Sequence, residues 1–124
     1  MERQRTILIA DDRPEIRTLV RLTLASDGFA VAECKSAPEA VKLAKQLLPH
    51  LILMDIDMPG EYNGVTAIGM LAADASTSSI PVIMLTASKD SAPNCLASGA
   101  VAYMTKPFSP IDLLKHVQQF ARNS

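Results

Sequence analysis

The sequence predicts an α/β fold: a (βα)5 doubly wound sheet of five parallel strands with helices on both faces. Three observations predict it. Short apolar runs recur at Thr6–Ala10, Ala30–Cys34, Leu51–Met54, Pro81–Thr86 and Val101–Thr105, and they lack the polar alternation of strands with one wet face. Helix-like segments separate them, so strand and helix alternate five times, which demands parallel strands joined by right-handed crossovers. No linker, repeat or low-complexity tract interrupts the 124 residues, so residues 1–124 read as one domain.

Each element has its own justification. The first strand, TILIA, runs into Asp11-Asp12, and Asp12-Arg13-Pro14-Glu15 fits a helix start with Asp12 as N-cap. The helix Pro14–Ser26 then places Ile16, Leu19, Val20 and Leu24 on one face. After the second strand, Ser36-Ala37-Pro38-Glu39 reads as a capping box for a helix running to about Leu48, with Val41, Ala44 and Leu48 inward. The third strand, LILM, ends in Asp55 and Asp57 before the turn-forming Pro59-Gly60. Beyond the fourth strand, Gly99 ends a short helix in a left-handed conformation. The last helix opens with Ser109 as cap, Pro110 at its first position and Asp112 near its positive end, and Leu113, Val117 and Phe120 follow at helical spacing.

A hydrophobic content of 48% with 20% charged residues excludes a disordered chain, and a net charge of -1 gives no global reason to expect contact with nucleic acid or a membrane surface. The pI near 6.1 points the same way. The N-terminal MERQRTILIADDR has no long apolar core and no 18 apolar residues run together, so a cytoplasmic protein is expected. Cys34 and Cys95 lack CxxC or His-rich company and read as reduced structural thiols. His50 and His116 lack acidic or cysteine neighbours and read as structural, and the methionines as core filler.

A strand buried on both faces that stops at an acid puts a costly charge at the rim of its sheet. With the strands in the flavodoxin-like order 2-1-3-4-5, residues after strands one, three, four and five surround one shallow site at their carboxyl ends. Those residues are Asp11, Asp12, Asp55, Thr86 and Lys106. Three carboxylates so close repel one another, and one is driven to protonate unless a cation or the Lys106 ammonium compensates. Oxygen-only ligation with room for water suits Mg2+. Asp55 is then placed as a nucleophile toward phosphorus, with Lys106 and the metal neutralising the transferring group and the Thr86 hydroxyl bonding one of its oxygens. The product is an aspartyl phosphate.

These pieces, ILIADD, LILMDIDMP, PVIMLTA and GAVAYMTKPF, occur in that order from Thr6 to about Ala121, and together they resemble the response-regulator receiver domain of two-component signalling. The resemblance implies that Asp55 is the phosphoacceptor, that Asp12 ligates Mg2+ directly and Asp11 through water, and that the backbone carbonyl of Asp57 completes the protein's ligands. It further implies that Lys106 contacts the phosphoryl group, that the bond from Lys106 to Pro107 is cis, and that Thr86 and Tyr103 are the switch pair. The implied phosphoryl donor is a sensor histidine kinase, a histidine phosphotransfer protein or a small acyl phosphate. The implied target surface is that of the fourth helix, fifth strand and fifth helix. Asp57 reads either as a turn former before Met58-Pro59 or, with Ser88, each two residues past a site residue, as one of a pair that tunes how readily water reaches the acyl phosphate.

Two stretches depart from the family pattern. GEYNG reaches its glycine about one residue late and reads as a small insertion, and the segment from Thr86 to Gly99 is about two residues short. A fourth helix of no more than about two turns, beginning near Ala92, is expected. Two other functions compete with this reading. Asp55-Ile56-Asp57 resembles the nucleophile and acid of haloacid-dehalogenase-type phosphohydrolases, but here it follows the third strand and the chain has no room for a cap. A pseudo-receiver that only docks is disfavoured because every site position is filled. The ending Ala121-Arg122-Asn123-Ser124 suits a stand-alone regulator or a piece of a longer protein.

Overall fold

The computed structural model describes residues 4–88, 90 and 92–121; the N-terminal residues 1–3 and the tail 122–124, both read above, lie outside the described residues. Along the chain come β1 (Thr6–Ala10), α1 (Pro14–Ser26), β2 (Ala30–Cys34), α2 (Ala37–Leu47), β3 (Leu51–Asp55), α3 (Gly64–Ala73), β4 (Val82–Thr86), α4 (Ala92–Ser98), β5 (Ala102–Thr105) and α5 (Pro110–Ala121). The strands form one parallel sheet in the order β2-β1-β3-β4-β5, as the sequence predicts.

Two apolar layers explain the unalternating central strands. Leu8, Ile52, Met54 and Met84 meet residues of α2, α3 and α4, among them Val41, Ala44, Ile68, Leu71 and Cys95. The intervening residues Ile7, Ile9, Leu51, Leu53, Ile83 and Leu85 meet α1 and α5 through Val20, Leu24, Leu113 and Val117. Apart from Thr6, Asp55 and Thr86 at their ends, the central strands are therefore apolar throughout, because both their faces are dry. The two outer strands correct that reading: Ala30 to Glu33 of β2 are only half-buried and Thr105 of β5 is exposed. A strand at the sheet's edge has a neighbour on one side only, so its side chains meet fewer helices.

Local chemistry sets the helix ends. Ser36 caps α2 by accepting from the Glu39 N–H at 3.3 Å, and the Glu39 carboxylate accepts from the Lys35 N–H at 3.1 Å. Ser109 caps α5 in the same way through the Asp112 N–H at 3.1 Å. Leu48 does not face inward: it is the C-cap of α2 in a left-handed conformation, φ 47°, which turns its side chain outward to 53% exposure. Asp12 is not the N-cap of α1 either. Arg13 holds that position with no side-chain cap, and its N–H donates instead to the Asp11 carboxylate at 2.9 Å.

α4 has 7 residues from Ala92, about two turns, in agreement with the expectation. Pro93 falls in its first turn, where a missing N–H removes no helical bond. Gly99 follows with φ +122°, its N–H donating to the Leu96 carbonyl at 3.1 Å. Both cysteines are free and buried. His50 ties β1 to β3, its N–H donating to the Thr6 carbonyl at 2.8 Å and its Nδ1 accepting from the Thr6 N–H at 3.1 Å. His116 donates from Nδ1 to the Asp112 carbonyl within α5 at 2.9 Å. No helix among the described residues is long and apolar enough to cross a membrane.

Candidate functional site

Strand order reverses between β1 and β3, and the side chains that follow their carboxyl ends converge there. Asp11, Asp12 and Asp55 each offer a carboxylate oxygen, and these oxygens lie within 4.8 Å of one another. A depression of about 330 Å3 opens above them, lined by Asp12, Arg13, Asp55, Asp57, Ala87 and Lys106.

The acids differ in surroundings. Asp11 is fully buried and held at every polar atom: Oδ1 accepts from the Arg13 N–H, Oδ2 from Lys106 Nζ at 2.7 Å, and its own N–H donates to the Cys34 carbonyl of β2 at 3.1 Å. Asp12 is exposed to the depression. Asp55 is only 4% exposed, with Lys106 Nζ 3.4 Å from Oδ2 and the Asp57 N–H donating to Oδ1 at 3.3 Å. Lys106 thus leans toward Asp11 and half-serves Asp55. Burial first, and the Asp11 charge second, push the Asp55 carboxyl up to about 6 against the pull of Lys106. Asp55 is an acid short of positive charge.

The chain reaches this geometry by close approach. The bond from Lys106 to Pro107 is cis, and the Lys106 N–H donates to the Thr86 carbonyl at 2.7 Å. On the other side, Gly64 opens α3 directly against β3, its N–H donating to the Ile56 carbonyl at 3.0 Å. A Cβ there would lie 2.4 Å from the Asp55 carbonyl oxygen, so only glycine fits. GEYNG is therefore a loop whose last two residues are structural: Asn63 caps α3 by accepting from the Thr66 N–H at 3.2 Å, and Gly64 permits the packing.

Thr86 and Tyr103 have other partners. The buried Thr86 hydroxyl donates to the Ser88 carbonyl at 2.8 Å and accepts from the Ser88 N–H at 3.1 Å. Tyr103 pairs with Met84 in register and lies half-buried beside Pro107, Phe108, Asp112 and His116. Asp57 and Ser88 are both exposed, and Ser88 Oγ accepts from the Asp90 N–H at 3.1 Å. Sequence reasoning missed Arg13 at the rim and Arg17 behind it, whose Nη1 donates to the Asp11 carbonyl at 2.8 Å. The signal was Arg17 and Arg21 one turn apart on a helix next to Glu33, which reads as a solvated face when the neighbouring strand is unknown.

An open doubly wound sheet with an acidic cluster and one lysine at its switch point is an α/β domain with a polar crevice where such folds bind their ligands. Residues 7–118 match the response regulator receiver domain, and the chain belongs to that family, the receiver module of two-component signalling. It is 36% identical over 124 residues to the DNA-binding response regulator MtrA of Mycolicibacterium smegmatis, covering 98% of this chain and 52% of MtrA, so it spans about half of that relative. Among solved structures it is similar to the chemotaxis response regulator CheY4 of Vibrio cholerae, with TM-score 0.88 and 28% identity over 95% of this chain and 99% of that one. The receiver domain of the sensor histidine kinase PA1611 of Pseudomonas aeruginosa, with a magnesium ion coordinated in its active-site cleft, is similar at TM-score 0.89 and 28% identity, covering 98% and 100%.

Proposed function

We propose that Asp55 is the phosphoacceptor of a switch spanning residues 1–124. The observation that carries this is a nearly buried carboxylate at the end of the central strand, its pKa raised to about 6, open to a depression shared with Lys106 and Asp12. An Asp55 oxygen attacks the phosphorus of a phosphohistidine or small acyl phosphate. The new P–O bond forms as the bond to the donor breaks; the leaving imidazole or carboxylate keeps that electron pair, and the imidazole takes up a proton. Lys106, already between Asp11 and Asp55, follows the charge onto the phosphoryl oxygens.

The donor set fits Mg2+: three carboxylates with oxygens within 4.8 Å are hard ligands short of compensating charge. Asp12, Asp55 and the Asp57 carbonyl would hold it, with Asp11, already engaged by Lys106 and Arg13, acting through water. Bound Mg2+ supplies positive charge to the phosphoryl oxygens.

The added charge of about -1.5 to -2 draws the Thr86 hydroxyl away from Ser88 and leaves room for Tyr103 to turn inward, which alters the face of α4, β5 and α5 presented to a downstream protein. Asp57 and Ser88, exposed at the rim, set how readily water reaches the acyl phosphate. Phosphorylation and its reversal are the only reactions the chain catalyses. The donor is a sensor histidine kinase or histidine phosphotransfer protein in the cytoplasm, and DNA contact by this chain is disfavoured by its net charge of -1.

The test is intact mass after incubation with acetyl phosphate and Mg2+. One added phosphoryl group that disappears in Asp55→Asn and with chelator is expected. No adduct on the folded protein favours a docking module, and steady phosphate release without an adduct favours a hydrolase.

A further inference from the structure

Behind the acidic pair lies a second, cationic arrangement that the phosphoacceptor chemistry does not use. Arg17 of α1 is 13% exposed at its side chain, and its Nε lies 3.3 Å from Glu33 Oε1 on β2. Its Nη1 donates at 2.8 Å to the main-chain carbonyl of Asp11. Glu33 is steadied in turn by Arg21 Nη1 at 2.8 Å from Oε2. The Asp11 carbonyl belongs to the peptide that joins Asp11 to Asp12.

We propose that Arg17, clamped by Glu33, is a positioning residue that fixes the Asp11–Asp12 peptide and so sets where the Asp12 carboxylate stands for a divalent cation. This deepens the reading of Asp12 as a metal ligand and rests on it. Among the described residues, the other polar anchors near the pair fall on Asp11 itself: the Cys34 carbonyl on its N–H, and Arg13 and Lys106 on its carboxylate. Among the described residues, the Arg17 bond alone reaches the peptide on the Asp12 side of that residue. A guanidinium suits the task because its planar fork spans a carboxylate on β2 and a carbonyl just past the end of β1.

Positioning and simple charge predict opposite signs. Removing a cation beside three carboxylates should by itself tighten cation binding, because less positive charge opposes the incoming ion. Loss of a group that orients a ligand weakens metal binding, typically by tenfold to a hundredfold.

The experiment is calorimetric titration of the folded, unphosphorylated chain with Mg2+, comparing wild type with Arg17→Gln, Arg17→Lys, Glu33→Gln and the double variant Arg17→Gln/Glu33→Gln. Arg17→Gln is expected to weaken Mg2+ by about tenfold and Arg17→Lys by less, since one donor cannot span both acceptors. Glu33→Gln is expected to weaken it severalfold alone and to add nothing to Arg17→Gln, because it acts through that side chain. Unchanged or tighter binding in Arg17→Gln overturns the proposal while leaving Asp12 as a ligand. If Arg17→Gln fails to fold, wild-type affinity in Arg17→Lys and Glu33→Gln overturns it equally. A wild type that takes up no Mg2+ overturns the metal reading itself, and this proposal with it.

Discussion

Replacing Asp55 by asparagine should stabilise the metal-free fold at neutral pH. The Asp55 carboxyl is raised from 3.8 to about 6, so ionising it costs the native state more than the unfolded chain. That difference amounts to about 3 kcal/mol at pH 7. Asparagine keeps the acceptor for the Asp57 N–H but turns an amide toward Lys106, which retains its 2.7 Å bond to Asp11, so a net gain of about 2 kcal/mol remains.

The pH dependence follows from the sign of the shift. A raised carboxyl leaves stability intact below the unfolded pKa of 3.8 and removes it as pH climbs through about 6. In urea unfolding with chelator at about pH 7.5, the midpoint of Asp55→Asn should exceed wild type by about 1 M, and the two should converge near pH 4. Mg2+ at a hundred times its Kd stabilises wild type by about 2.7 kcal/mol and so closes the gap at neutral pH. An asparagine variant no more stable than wild type at pH 7.5, or a gain that persists at pH 4, would refute the reasoning.

Two further outcomes are expected. Gly64→Ala forces a methyl into the Asp55 carbonyl at 2.4 Å and should cost about 2 kcal/mol or more in urea unfolding, while Gly69→Ala, with open space around it, should be neutral or stabilising. The buried Cys34 thiol, pushed up to about 12 chiefly by desolvation, should resist thiol reagents at neutral pH in the native state and react only on unfolding; rapid native labelling would contradict its placement.

The sheet order and the convergence of Asp11, Asp12, Asp55 and Lys106 were legible because an apolar run that ends in a charged residue marks a strand's carboxyl end, and parallel strands bring those ends together. The two-turn α4 was legible from a short segment with an early proline. What escaped depends on neighbours distant in sequence or on backbone angles. Glu33 looks like an ordinary strand charge until β2 lies beside α1 and Arg17. Leu48 continues the helical pattern of Val41 and Ala44, yet a left-handed cap reverses its direction. Asp12 fits a cap by residue type, but Arg13 holds the N-cap position and its N–H bonds the Asp11 carboxylate instead. β2 reads as an apolar run apart from Glu33, and its place at the edge half-exposes Ala30 to Glu33.

The Thr86 hydroxyl gives to the carbonyl and takes from the N–H of the same residue, Ser88. Two bonds of about 1 kcal/mol each hold the side chain in place and leave it displaced only about 3% of the time. In the mechanism proposed here, the quiet setting of the domain is a state with its own grip and not merely a lack of phosphate. Such a latch imposes a threshold: thermal excursions of Thr86 stay rare, and only a ligand that outbids both Ser88 bonds at once moves it. The signal would then be protected from noise by a turn three residues long.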